Sequence, residues 1–172
     1  MPSYHDELIG TWRSVSITMS NASETIHPFG EDVKGYLVYS PDGYMSAHVT
    51  SSEAMTPYAA GFNNPTADEA LFYARHTNGY TGRYYVHEEG SRKATVYHEI
   101  QISNPPNFVG GIQKRNQEIW EDDQGRLRLT ITVDEKVKLA KGEGVLTLQW
   151  VKVDVHDVSV EVPQKYEKIG DR

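Results

Sequence analysis

The chain predicts an all-β fold: roughly eight antiparallel strands closed into a barrel, with one helix between early strands. Three observations carry that prediction. Turn signals recur about every ten residues along the 172-residue chain, the punctuation of all-β proteins. Apolar and polar residues alternate strictly over several segments, the period of a half-buried strand. One segment alone reads as a sizeable helix. An open meander of this length would expose its edge strands, whereas closure removes them. An eight-stranded barrel also has just enough interior for one small ligand. A two-sheet sandwich is the structural alternative.

The elements follow in order. Tyr4 to Leu8 could form one helical turn, and TWRSVSIT (11–18) reads as the first strand. Residues 19–33, rich in Asn, Ser, Pro and Gly, read as a loop. Lys34–Ser40 and Tyr44–Thr50 flank Pro41-Asp42-Gly43 and predict a hairpin. After a second loop, Thr66 with Glu69 three residues on makes a capped helix start, so a helix is expected over about 67–77, with Gly79 as its stop. Strands resume at Tyr80–His87 and at Lys93–Ser103, where Ala94, Val96, His98, Ile100 and Ile102 share a face. Ile112–Trp120 follows a Pro-rich loop, Arg126–Val133 follows a turn at 121–125, and Gly144–Val153 closes the series. The expected organisation is one domain over 1–153 and a polar tail over 154–172, in which VSVEV (158–162) could add an edge strand. No internal repeat or low-complexity segment interrupts it.

Composition narrows the function. Lys and Arg number 17 against 24 Asp and Glu, a net charge of −7, which argues against nucleic acid and anionic membrane surfaces. The mean hydropathy of −0.59 suits a soluble domain, and no apolar run approaches the ~20 residues of a membrane span. Cysteine is absent, which removes disulfides, thiolate metal sites and cysteine nucleophiles. The N-terminus lacks the basic-then-apolar pattern of a secretory signal, so Asn21-Ala-Ser is not expected to carry glycan and the expected location is cytoplasmic. Phosphate-cradling, nucleophile-elbow, dinucleotide-binding and zinc-protease motifs are absent. The histidines are scattered, and neither metal nor cofactor is expected. Tyrosines outnumber phenylalanines 11 to 4, a bias that suits sheet faces and equally suits pockets needing apolar contact plus a hydrogen bond.

The hairpin poses the sharpest question. With Gly43 in a left-handed bulge position, Ser40 pairs with Tyr44, Val38 with Ser46 and Tyr36 with His48. One face then reads Tyr36, Val38, Ser40, Tyr44, Ser46, His48, and the other Leu37, Tyr39, Met45, Ala47, Val49. A two-residue turn would shift this pairing. The first register segregates apolar from polar. Which face looks inward stays open, the apolar one being the usual barrel lining.

Gly10-Thr11-Trp12 resembles the G-x-W signature of lipocalins. The resemblance implies that Trp12 plugs the closed end, with a basic residue of the last strand across its ring. Lys152 stands there in place of the usual Arg, and an ammonium stacks less well than a guanidinium. More specifically, HPFGEDVKGYLVYSPDGYMSAH (27–48) resembles the string of the lipocalin-like domain family, and Asn107-Phe108-Val109-Gly110 is similar to its N-W-V-G element. Together they cover most of residues 10–153. The resemblance implies a calycin-type barrel holding one ligand, and some related small barrels act as cyclases or isomerases of natural-product pathways. At 114–117, Lys-Arg-Asn-Gln is more polar than the family's usual basic-then-aromatic pattern, which implies a more hydrogen-bonding lumen if these residues face inward.

Candidate catalytic residues are His48, His98 and Arg115. His98 shares a face with Val96 and Ile100, and an imidazole in an apolar lumen could serve as general acid–base. Arg115 could anchor a carboxylate or enolate. Tyr36, Tyr39, Tyr84, Met45, Gln113, Gln117, Phe108 and Trp150 are the expected ligand contacts. The expected function is binding of a small, largely apolar metabolite, leaning to cofactor-independent isomerisation or cyclisation in a polyketide- or terpenoid-like pathway. A non-catalytic carrier or sensor is the rival, and a module whose lumen its own side chains fill is the third reading. Expected partners are a small hydrophobic metabolite, no nucleic acid and no membrane; homodimerisation is left open.

Overall fold

The computed structural model describes residues 2–156, 158 and 159. A short helix α1 (Tyr4–Leu8) precedes strands β1 (Gly10–Ser20), β2 (Thr25–Ile26), β3 (Val33–Tyr39) and β4 (Tyr44–Ser51). Helix α2 (Ala67–His76) leads to β5 (Thr77–Gly90), β6 (Lys93–Ser103), β7 (Ile112–Glu121), β8 (Leu127–Thr132), β9 (Val137–Leu139) and β10 (Gly142–Lys152). Antiparallel pairing runs β1-β3-β4-β5-β6-β7-β8-β10 and returns from β10 to β1, so eight strands close a barrel. The short β2 and β9 extend β1 and β10 as ribbons at one end. Neither short ribbon is expected from the sequence, because two or three residues give no readable alternation.

The hairpin takes the segregating register: Tyr36 faces His48, Val38 faces Ser46, and the Ser40 amide donates to Tyr44 O at 2.8 Å. Gly43 adopts φ +88°, a conformation cheap only for glycine. The apolar face points inward, with Leu37, Tyr39, Met45 and Val49 buried.

Two expectations are corrected. Gly79 is not the helix stop: α2 ends at His76 and the chain continues directly as β5, where Gly79 pairs with His48. Ile102 does not share the inward face of β6. Thr81 pairs with Ile102 but Gly82 with Ile100, so Gln101 forms a bulge that reverses the alternation and leaves Ile102 70% exposed. A bulge adds one residue to one strand and so flips every side chain beyond it. Gly82 belongs to that bulge, since a Cβ there would stand 1.8 Å from Glu99 O.

The closed end is built by α1. Ser3 and Asp6 form its capping box, and Tyr4 and Leu8 are buried beneath the barrel floor. Trp12 donates its indole N–H to Leu8 O at 2.8 Å, and the Lys152 ammonium lies 5.0 Å from the Trp12 ring centroid. The basic residue of the last strand thus crosses the ring as the sequence pattern implies. Helix α2 is capped by Thr66 and Glu69 but buries no residue, so it does not roof the lumen. Among the described residues no helix is long and apolar enough to cross a membrane. Of the expected edge strand at 158–162, Val158 and Ser159 form a turn, and residues 160–162 lie outside the described residues.

Candidate functional site

Opposite the Trp12 end, the barrel encloses a cavity of about 370 Å³. That lies near the lower end of the roughly 300–1,000 Å³ usual for small-molecule sites. Ile17, Leu37, Val49, Ile131 and Leu148 supply apolar walls from five strands, and Phe29 from a loop and Phe108 from a short 3-10 turn (Pro106–Phe108) reach in. Alternation dictates this lining: each strand turns every second residue inward.

Against those walls stands a compact polar set: Tyr80, His98, Gln113 and Arg115. Strand pairing brings them together, because His98 on β6 faces Gln113 on β7, and Arg115 lies two residues along β7. His98 is 1% exposed. Its Nε2 lies 2.8 Å from the Tyr39 hydroxyl and its Nδ1 lies 3.1 Å from the Tyr80 hydroxyl. Burial, and secondarily the charge of Arg115, lower its pKa to about 3. The imidazole is therefore neutral at physiological pH. Burial likewise pushes the Tyr39 hydroxyl well above its ordinary pKa.

Arg115 is 9% exposed. Its guanidinium donates to Lys114 O at 2.9 Å and Gln113 Oε1 at 3.2 Å, both neutral acceptors. No salt bridge involves Arg115 among the described residues. Glu135, the carboxylate of the lining, is exposed at the mouth. Two further lining residues, Asn78 and Trp150, carry a buried Oδ1 and a buried Nε1 without hydrogen-bond partners among the described residues. Buried polar atoms are nearly always satisfied in folded proteins, and of the three unsatisfied side-chain atoms among the described residues these two belong to residues that line one cavity, the third being His27 Nδ1.

The expected site residues divide into four groups. His98, Arg115, Gln113, Phe108 and Trp150 line the cavity. Tyr39 and Gln117 lie under it as buried partners of the His98 network, with Gln117 Nε2 donating to the Tyr39 oxygen at 2.8 Å. Met45 and Tyr84 are buried outside the lining, and the Tyr84 hydroxyl is occupied by Ser40 O and His5 Nε2. His48 and Tyr36 are corrected: both lie on the outer face, Tyr36 53% exposed, because the inward phase of this hairpin belongs to Leu37, Tyr39, Met45 and Val49. Neither is in reach of the lumen. Tyr80, Asn78 and Phe29 are absent from the sequence-based set. Tyr80 alternates with Tyr84 along β5, whereas Phe29 sits in a loop with no period to read.

Outside the barrel a larger hollow of about 520 Å³ lies around Arg13, Lys34, Arg126 and Arg128. Arg126 and Arg128 are there engaged by Asp122.

Residues 9–153 match the family model described as the lipocalin-like domain. No curated protein matches the chain.

Proposed function

Since the chain belongs to the lipocalin-like domain family, whose barrel suits small hydrophobic ligands, we propose that its lumen binds one largely apolar molecule by a single oxygen-bearing end held at Tyr80 and Arg115. The observation that carries this reading is the buried, unpaired guanidinium. Desolvating a cation costs several kcal/mol when no anion accompanies it, and a ligand oxygen beside Arg115 would offset that cost. The cavity corresponds to roughly a dozen waters' worth of liquid volume, room for a compact ligand rather than a long lipid.

The test is titration of the purified protein with Nile red, a neutral fluorogenic probe. Saturable one-site binding is expected, and Ala47→Phe, which fills the lumen from β4, should abolish it. Equal binding by the two proteins would place the site elsewhere and end this reading.

A second reading, cofactor-independent isomerisation or cyclisation of a polyketide- or terpenoid-like substrate, draws on the same two groups. A developing enolate oxygen at Tyr80 and Arg115 would be stabilised by preorganised donors in a water-poor site, the carbon-bound proton passing to solvent water or a buffer base at the mouth, and confinement would favour an intramolecular step. His98 is not the base in this reading. Both its nitrogens are engaged by tyrosine hydroxyls, and a group with a pKa of about 3 is a weak base. Deuterium wash-in at the carbon between the carbonyls of a small 1,3-diketone tests it. Exchange above the buffer rate that falls in Arg115→Met favours catalysis, and a buffer-level rate favours the carrier or sensor.

A further inference from the structure

The hydrogen bonds beneath the cavity run in one direction, and that direction follows from proton counting. The Tyr4 hydroxyl donates to Gln117 Oε1 at 2.8 Å. That bond leaves the Gln117 amide nitrogen facing Tyr39, whose oxygen accepts from it at 2.8 Å. The one proton of Tyr39 then has a single acceptor within reach, His98 Nε2 at 2.8 Å. His98 therefore carries its own hydrogen on Nδ1 and donates it to the Tyr80 oxygen at 3.1 Å. The opposite tautomer would leave the Tyr39 proton without an acceptor at a residue 1% exposed, a loss comparable to deleting a hydrogen bond outright. The last proton of the relay, on Tyr80, has no acceptor among the described residues, and Tyr80 lines the cavity.

We infer that this relay makes Tyr80 an obligate donor into the lumen, and that with Arg115 it selects a carboxylate on an apolar body. The inference rests on the binding reading above and names its ligand class. Arg115 has donors only. The Gln113 oxygen is taken by Arg115, and the Tyr80 oxygen accepts from His98. An alcohol placed at this end could donate only to an oxygen that already accepts a hydrogen bond and would bring no counter-charge, and an ammonium would meet a like charge. A carboxylate satisfies the donors and brings the missing counter-charge. Of the remaining acceptors of the lining, Glu135 is exposed at the mouth and Asn78 lies two residues along β5 from Tyr80, about 7 Å of strand rise between their Cα atoms, so both serve other parts of the ligand. Tyr4, Gln117 and Tyr39 are positioning residues: they set the tautomer of His98 without touching the ligand.

Two measurements on the full chain test this. First, Nile red is displaced by decanoic acid, decan-1-ol and decylamine at neutral pH. The acid should act at about tenfold lower concentration than the alcohol, the increment of one charge-assisted hydrogen bond, and the amine should be weakest. Tyr80→Phe should narrow the acid–alcohol gap, and Arg115→Met should close it. Second, nitrogen-15 NMR of labelled histidine should show His98 with its hydrogen on Nδ1. Tyr4→Phe frees the Gln117 amide to flip, so it should shift His98 toward the Nε2 tautomer and weaken the acid preference. Equal displacement by acid and alcohol, or an Nε2–H tautomer in the unmodified protein, overturns the inference while leaving lumen binding intact. Failure of Nile red to bind overturns both. If Tyr4→Phe does not fold, the tautomer of the unmodified protein and the Tyr80→Phe displacement series still decide the matter.

Discussion

Replacing Tyr39 by Phe removes one oxygen atom from the centre of the relay and nothing else. The ring stays, together with its edge contact to Tyr84 at 4.9 Å between centroids. Two groups lose their partner: Gln117 Nε2, a donor on a residue 4% exposed, and His98 Nε2, an acceptor on a residue 1% exposed. Each orphaned buried group costs about 1–3 kcal/mol, so Tyr39→Phe should cost about 2–4 kcal/mol after partial relaxation. For a chain of this length that corresponds to a fall in Tm of roughly 5–15 °C. Urea unfolding followed by circular dichroism measures the loss, and a double-mutant cycle tests its cause. In a Gln117→Leu background the orphaned donor is already gone, so Tyr39→Phe should cost at least about 1 kcal/mol less there. A loss below about 1 kcal/mol in the parent, or the same loss in both backgrounds, would refute the relay as a coupled unit.

Acid should unfold the protein in part through His98. Its pKa is about 3 when folded against an ordinary 6.5, so the folded state rejects a proton that the unfolded chain binds. The contribution is complete above the ordinary value and drains as pH falls toward 3, by on the order of 4–5 kcal/mol. His98→Gln should flatten the stability–pH curve over that window, and an unchanged slope would contradict the assignment. Gly82→Ala forces a Cβ onto the Glu99 carbonyl at the β5–β6 bulge and should cost more than about 3 kcal/mol, read as accelerated proteolysis; a near-neutral effect would mean the bulge is soft. His48→Ala, on the outer face, should leave Nile red affinity within about twofold, as surface changes stay within about 0.5 kcal/mol. A tenfold loss would move the site outside the barrel.

What was readable in the chain was local. Pro41-Asp42-Gly43 set the hairpin register because turn dihedrals and a period of two act over a few residues, and Tyr36 opposite His48 follows from them. The cap at Thr66 and the inward run Ala94–Val96–His98–Ile100 are of the same kind. Ile102 escaped that logic because a bulged Gln101 leaves no mark in the alternation. Val137 and Phe29 escaped it because ribbons of three residues and loops have no period.

By itself the sequence determined the eight-strand series and the polar character of the strand holding Gln113, Arg115 and Gln117, and its resemblance to the lipocalin signature implied the Trp12 plug with Lys152 across it. Only the tertiary structure decided which face of the opening hairpin is the lining, and that both nitrogens of His98 meet tyrosine hydroxyls. The reason is reach. Tyr4 meets Gln117 across 113 residues and Tyr39 meets His98 across 59. Burial, tautomer and charge balance at those contacts exist only once closure of the barrel has excluded water and brought the strands together.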